Sequence, residues 1–232
     1  MNYLYLLLNL GSLSIPFLFS FHPKLKFYKK WKGLSIGMLI GMLLFIPWDI
    51  VFTAKGIWGF NETYYLGVKL FGLPIEEWLF FICIPYACVF THYALLHYFP
   101  DLKLSIKSTR WISWILMFIL ILALNFNYDK WYTFVNFGLA LLVIPLVLKL
   151  NFKLLQKYYL TFIVMLIPFF IVNGILTGTG IESEVVWYNN DENLGIRLLT
   201  IPVEDIIYAF SLILINLFFT AYFTKSRTPD LN

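Results

Sequence analysis

Long apolar runs separated by short polar segments are the main pattern of this chain. Crossing a bilayer as a helix takes about 20 mostly apolar residues. Runs that suit this length occupy residues 3–21, 33–51, 74–98, 111–125, 131–148, 158–176 and 201–223. The pattern therefore predicts an all-α membrane protein with seven transmembrane helices, of which the fourth is the shortest. No linker rich in Gly or Ser divides the chain, which indicates one membrane domain over residues 1–232.

Basic residues are distributed unevenly among the segments that connect these helices. One set of alternate connections, together with the C-terminal tail, holds thirteen of the 17 Lys and Arg residues. The other side holds only Lys55, Lys69, Lys130 and Arg197. Because positive loops stay in the cytoplasm, we expect the N-terminus outside and the C-terminus in the cytoplasm, in a bacterial cytoplasmic membrane. The net charge of +4 reflects this asymmetry and calls for no nucleic-acid partner.

The composition and the first run agree with this class. The chain is 60% hydrophobic and 20% aromatic, with a mean hydropathy of +0.78, which is outside the range of ordinary soluble domains. The first run lacks a basic region and a small-residue cleavage site, so it is predicted to be a span and not a signal peptide.

Gly33, Gly37 and Gly41 form a small-residue stripe that predicts close helix packing. Cys83 and Cys88 are expected to be buried, unpaired thiols.

Two of the predicted helices begin with the same motif, a proline followed by two acidic residues. The first copy reads Pro74-Ile75-Glu76-Glu77, and the second reads Pro202-Val203-Glu204-Asp205. Proline suits the first helical position, and acids in the first turn suit the helix dipole. Each copy alone is therefore typical of an ordinary helix start. The repetition of the motif indicates a functional role in addition.

The repetition extends beyond the motif to whole groups of helices. The helix before each motif ends near a polar residue, Asp49 in one case and Asn173 in the other, and a loop with Trp and Asn follows. Residues 1–100 and 128–232 thus form two repeats, with a linker helix over residues 101–127. This is a 3+1+3 parallel repeat, in which both halves have the same orientation. It brings five acids to the outer side of the membrane: Asp49, Glu76, Glu77, Glu204 and Asp205.

Absent motifs narrow the chemistry that these acids can serve. The chain has no glycine-rich dinucleotide loop, no P-loop, no aspartate-rich diphosphate motif and no lysine in the middle of the last helix. His92 and His97 are five residues apart, which is a poor spacing for a shared metal. The sequence therefore predicts no cofactor and no metal.

A cluster of carboxyl groups in an apolar pocket can work as an acid and a base. Burial and mutual repulsion favour the neutral form of one carboxyl group, whereas helix N-termini favour the anion of another. Aromatic faces can stabilise a carbocation, although each is also typical of an interfacial anchor. Candidate substrate-binding residues are Trp48, Trp58, Trp78, Phe80, Asn173, Trp187, Arg197 and Tyr208. Arg197 either neutralises Glu204 or Asp205 or is an ordinary interfacial arginine. The pattern suggests protonation of an alkene, rearrangement and loss of a proton on a lipid-soluble substrate.

Several short motifs in this order resemble one known family. They are Trp48-Asp49, Gly56-x-Trp58, the two Pro-x-acid-acid starts, Asn173-Gly174-x-Leu176-Thr177, and Arg197 ahead of the second start. Together they resemble the small membrane lycopene β-cyclases of the heterodimeric type, here with both subunits fused in one chain. The resemblance extends from the first predicted helix to the seventh.

The resemblance implies a carotenoid substrate and an isomerisation. Lycopene would be cyclised at its ψ-ends to β-ionone rings, giving γ-carotene and then β-carotene, without net redox change. The protein would be surrounded by membrane lipid, and other enzymes of carotenoid biosynthesis would be its partners. Adjacent helical residues point about 100° apart, so only one acid of each pair should face the substrate, and we expect Glu76 and Glu204. The alternatives are a carotenoid cyclase of other ring or chain-length specificity, a sugar-transporter-like protein with the same 3+1+3 repeat, and a structural subunit.

Overall fold

Seven α-helices account for most of the computed structural model, which describes residues 3–225. They are α1 (Leu4–Phe19), α2 (Trp31–Lys55), α3 (Ile75–Tyr98), α4 (Ile106–Phe126), α5 (Trp131–Leu150), α6 (Phe152–Leu176) and α7 (Val203–Lys225). Six of them are long and apolar enough to cross a membrane, and α1 is a shorter apolar helix. The number of helices is thus confirmed for the described residues, and a membrane-spanning length for six of the seven. The basic tail residue Arg227 lies outside them.

The prediction that the fourth helix is the shortest is wrong. Helix α4 has 21 residues, and the shortest helix is α1 with 16. The apolar pattern of α4 begins only at Trp111, but Ser105 caps the helix several residues earlier by accepting a hydrogen bond from the Ser108 backbone N–H at 3.0 Å. A polar first turn is invisible to a search for apolar residues, because the cap and not hydrophobicity defines its beginning.

The glycine stripe of α2 lies against α7, as the sequence predicts. A Cβ atom added to Gly33 would lie 2.7 Å from the carbonyl oxygen of Thr220, and one added to Gly37 would lie 2.9 Å from that of Asn216. The two backbones therefore approach more closely than any larger residue permits. This contact joins the first half of the chain to the second.

Short strands, which the sequence analysis did not predict, organise the segments ahead of α3 and α7. They are β1 (Trp58–Phe60), β2 (Lys69–Leu70), β3 (Leu73–Pro74), β4 (Val186–Tyr188), β5 (Arg197–Leu198) and β6 (Ile201–Pro202). Two 3₁₀ segments cover Phe27–Lys30 and Asn190–Glu192. Strands β1 and β4 pair antiparallel, with Trp58 opposite Tyr188. The α2–α3 connection is thereby joined to the α6–α7 connection over one end of the helices.

The other four strands form two hairpins that lead directly into the acidic helix starts. Strand β2 pairs with β3 before α3, and β5 pairs with β6 before α7. In the first hairpin Phe71 and Gly72 both have positive φ, 52° and 84°, as a two-residue turn of this kind requires. Each hairpin ends on the proline of its motif, so the turn geometry determines where the two acids begin.

Helix packing repeats between the two halves. Helix α1 packs on α3, and α5 packs on α7. In the first pair the Asn9 amide donates to the Glu76 carbonyl oxygen at 2.8 Å. In the second pair the Asn136 amide donates to the Glu204 carbonyl oxygen at 2.7 Å. The matched contacts agree with an internal repeat, and the orientation in the membrane stays a prediction.

Candidate active site

The first acid of each motif binds the backbone of the loop that precedes it. The Leu66 N–H donates to Glu76 Oε1 at 2.8 Å, and the Leu194 N–H donates to Glu204 Oε1 at 2.7 Å. The Thr133 hydroxyl also donates to Glu204 Oε1 at 2.7 Å. Both carboxyl groups are completely buried. Glu76 and Glu204 therefore hold the loops against the helix starts.

The second acid of each motif faces a cavity between the helices. Glu77 and Asp205 both line this cavity, and Glu76 and Glu204 do not. The expectation that Glu76 and Glu204 face the substrate space is thus corrected. The physical reason is that each loop has backbone N–H groups that need acceptors. The first acid supplies one, and the next residue, about 100° further around the helix, points to the cavity.

Asp205 accepts three hydrogen bonds, which fits a carboxylate. Its donors are the Tyr132 hydroxyl at 2.5 Å, the Asn173 amide at 2.7 Å and the Tyr188 hydroxyl at 3.1 Å. An ionised carboxyl group only accepts hydrogen bonds, so three donors favour this form. Burial, and then the adjacent Asp205, raise the pKa of Tyr188 in strand β4. The Tyr188 hydroxyl therefore keeps the proton that it donates.

Asp49 and Glu77 form the other side of the carboxyl cluster. The Trp58 indole N–H donates to Asp49 Oδ1 at 2.8 Å, whereas Asp49 Oδ2 has no hydrogen-bond partner among residues 3–225. The Tyr5 hydroxyl donates to Glu77, and Asp49 and Glu77 both line the cavity. Asp49 is not paired with Lys55, whose ammonium lies over the Trp131 ring at 5.1 Å.

The cavity itself is apolar except at the carboxyl cluster. Its volume is about 640 Å³. Helices α1, α3, α6 and α7 supply most of its wall, and strands β1 and β4 supply Trp58, Phe60, Val186 and Tyr188. One end holds Asp49, Glu77 and Asp205 together with aromatic rings, and the remainder is lined mostly by aliphatic and small side chains, with Phe162 and Phe169 of α6. Such a space suits a long hydrocarbon with one reacting end.

Four of the predicted substrate-binding residues line the cavity. They are Trp58, Phe80, Asn173 and Tyr208. Trp48 lies behind Tyr208, with its ring centroid 5.5 Å from that of Tyr208. It supports the position of the Tyr208 ring but does not line the cavity.

Three other predicted residues lie away from the cavity. The Trp78 indole donates to the Leu70 carbonyl oxygen at 3.2 Å, and the Trp187 ring covers Gly59 in the paired strand. Arg197 donates to the Thr200 carbonyl oxygen at 2.7 Å and to Asn190 Oδ1 at 2.9 Å. The idea that Arg197 neutralises Glu204 or Asp205 is therefore wrong, because its guanidinium is used to hold the hairpin turn.

Sequence reasoning missed several residues of the site. The hydroxyl groups of three tyrosines donate hydrogen bonds to Glu77 and Asp205, from Tyr5 to Glu77 and from Tyr132 and Tyr188 to Asp205. One signal was present in the sequence, because Tyr5-x-x-x-Asn9 recurs as Tyr132-x-x-x-Asn136. In both copies the Tyr reaches the second acid and the Asn reaches the carbonyl oxygen of the first. Among the described residues, no group of three or more His, Cys, Asp or Glu side chains has the arrangement of a metal site.

Fold and site together define an integral membrane protein with a carboxyl-lined apolar cavity, to which both halves of the chain contribute. The family model described as lycopene cyclase matches the chain twice, over residues 2–96 and 129–223. The chain therefore belongs to the lycopene cyclase family, and is an enzyme of carotenoid cyclisation. The two matches coincide with the two halves that carry the Tyr-x-x-x-Asn and Pro-x-acid-acid motifs. No curated protein and no solved structure matches the chain.

Proposed function

We propose that this protein is a lycopene β-cyclase that converts lycopene through γ-carotene to β-carotene by acid–base catalysis. The observation that carries the proposal is the position of Glu77 and Asp205. One comes from each half of the chain, and both line the same end of an apolar cavity. The family match favours this reading over a solute transporter or a structural subunit. The enzyme would work in a bacterial cytoplasmic membrane, beside other enzymes of carotenoid biosynthesis.

The proton donor in this proposal is the pair formed by Asp49 and Glu77. Two neighbouring carboxyl groups with no cation at hand are more stable when one of them is protonated than when both are ionised. The only Lys–acid ion pair among the described residues joins Lys69 to Glu62, and both of these side chains are exposed. A proton held by Asp49 or Glu77 therefore lies beside the substrate space, where an alkene can take it.

The anionic partner in this proposal is Asp205. Its three hydrogen-bond donors hold it as a carboxylate, and a fixed negative charge stabilises a carbocation that forms nearby in a water-poor cavity. The faces of Trp58, Phe80 and Tyr208 line the same end and add cation–π stabilisation. The carboxylate is then in place to accept a proton when the ring has closed.

The proposed reaction is balanced without any further reactant. The Asp49–Glu77 pair gives a proton to C2 of the ψ-end, which leaves a cation at C1. The C5–C6 double bond attacks C1, so that the C1–C6 bond forms and the cation moves to C5. Asp205 accepts the C6 proton, which gives the C5–C6 double bond of the β-ring. One proton enters and one leaves, so the product is an isomer of the substrate.

Expression in a lycopene-accumulating host, followed by extraction and separation of the pigments, tests the proposal. We expect β-carotene as the main product, with γ-carotene at early times. A host transformed with the Glu77→Gln/Asp205→Asn variant is the control, and it should retain lycopene. Rings of the ε type would show a cyclase of different specificity, and unchanged lycopene with the well-expressed wild-type protein would contradict the proposal.

A further inference from the structure

The cavity is long and runs down the bundle from the carboxyl cluster. Along α3 its lining extends from Glu77 to Thr91, a distance of about 21 Å at 1.5 Å per helical residue. Beyond the cluster the wall on this helix consists of Ile84, Ala87 and Cys88 before Thr91. The carboxyl groups therefore occupy one end only, and the rest of the cavity has the shape and polarity of a channel for a hydrocarbon chain.

One long side of this channel is open between α1 and α6. Leu7 and Ile15 of α1 and Ile171 of α6 line the cavity and are nonetheless 55%, 65% and 61% exposed. On the opposite wall, Leu212 and Ile213 of α7 are almost fully buried. Because α1 and α6 are apolar helices, the opening between them faces the acyl chains of the bilayer and not water.

We propose, resting on the function proposed above, that the linear carotenoid enters sideways from the bilayer through the cleft between α1 and α6. It then lies along α3 with one end at Glu77 and Asp205. A carotenoid fits this cleft because the cleft is lined by apolar residues and is continuous with the end of the cavity that holds the carboxyl cluster. A second consequence concerns the two ends of the substrate. All the carboxyl groups of the cavity are at one end, so each binding event cyclises one end, and the monocyclic intermediate must turn around between rings.

Gly11 offers a direct way to close the cleft. It lines the cavity on α1, between Leu7 and Ile15, and a Cβ atom added there meets no atom within 4 Å. Gly138 of α5 is a matched control, because an added Cβ also meets nothing within 4 Å and the residue does not line the cavity. Both positions lie inside a helix, so replacing either glycine changes helix propensity in the same direction.

The experiment compares Gly11→Trp and Gly138→Trp with the wild type in liposomes that contain lycopene. Because the indole would close the cleft, we expect Gly11→Trp to cyclise lycopene at least about tenfold more slowly, which corresponds to about 1.4 kcal/mol in the activation free energy. Gly138→Trp should stay within about twofold of the wild type. Cyclisation by Gly11→Trp at the wild-type rate would overturn the proposed route. Lack of cyclisation by the wild type would instead overturn the proposed function, so the two failures are distinguishable.

A binding measurement and a second pair of variants cover the case in which Gly11→Trp does not fold. Ile171→Trp, on the opposite rim, is compared with Ile163→Trp on the same helix, where the wild-type residue is equally exposed at 61% but outside the cavity. In a Glu77→Gln background, which blocks turnover, the lycopene retained by the purified protein is measured by its absorbance. Ile171→Trp should retain several-fold less than Ile163→Trp. Equal retention by both would contradict access through the cleft.

Discussion

The Tyr132 hydroxyl donates a 2.5 Å hydrogen bond to Asp205, 73 residues further along the chain. This contact joins the start of α5 to the start of α7, and Tyr5 makes the same contact with Glu77 in the first half. The second acid of each motif is thus held by a tyrosine from the first helix of its own half. This contact matters for the proposed reaction, because a hydrogen bond to a carboxylate stabilises its charge.

Tyr132→Phe is expected to lower the cyclisation rate while leaving the fold intact. The lost hydrogen bond to a charged group corresponds to roughly a tenfold or greater fall in rate, because Asp205 is held less well in its ionised form and position. The measurement is the rate of β-carotene formation in liposomes. Tyr158→Phe is the control, since it removes a buried hydroxyl that donates to the Phe210 carbonyl oxygen at 2.8 Å, away from the cavity. Equal rates for the two variants would argue against a role for Tyr132 in the reaction.

Trp58→Phe tests the contribution of Asp49. The change keeps an aromatic face at the cavity but removes the N–H that donates to Asp49 Oδ1, and we expect a rate about tenfold lower. Trp78→Phe removes an indole N–H that donates to the Leu70 carbonyl oxygen outside the cavity. Its rate should match that of the wild type. An unchanged rate in Trp58→Phe would remove Asp49 from the proposed proton donor.

Gly37→Ala tests the close packing of α2 on α7. The new Cβ would lie 2.9 Å from the Asn216 carbonyl oxygen, so the helices must separate, at a cost of about 1–3 kcal/mol. Gly138→Ala, where nothing lies within 4 Å, should instead be neutral or stabilising by up to about 1 kcal/mol. Unfolding midpoints of the two variants in the same detergent provide the comparison. A midpoint for Gly37→Ala at or above that of Gly138→Ala would contradict the close approach.

The number of helices and the doubled acidic motif could be predicted from the sequence, because both depend on local patterns. Apolar runs identify helices one at a time, and Pro-x-acid-acid is visible wherever a helix starts. The direction of each acid could not be obtained in this way. Glu76 and Glu77 have almost the same local sequence context, and which of them faces the cavity depends on the Leu66 N–H, which a hairpin brings to Glu76.

The paired strands β1 and β4 were beyond the reach of sequence patterns for a similar reason. Three residues on each side form the whole ladder, from Trp58↔Tyr188 to Phe60↔Val186, and such a run is too short to show a strand period. Its effect is nevertheless large, because it brings Tyr188 to Asp205. The sequence left two readings of Arg197 open, an ion pair with Glu204 or Asp205 and an ordinary interfacial arginine, and only the structure shows that its side chain turns back to the Thr200 carbonyl oxygen.

In the proposed reaction Glu77 and Asp205, the second acids of the two motifs, carry the chemistry together with Asp49, whereas Glu76 and Glu204 bind the loops. The most direct measurement is single-turnover cyclisation of lycopene by purified protein in liposomes, comparing Glu77→Gln/Asp205→Asn with Glu76→Gln/Glu204→Gln. We expect the first double variant to retain lycopene but to form ringed product at least about 100-fold more slowly. The second keeps a side-chain carbonyl oxygen for each loop N–H and forms β-carotene. Formation of β-carotene by Glu77→Gln/Asp205→Asn at the wild-type rate would contradict the proposed roles of Glu77 and Asp205.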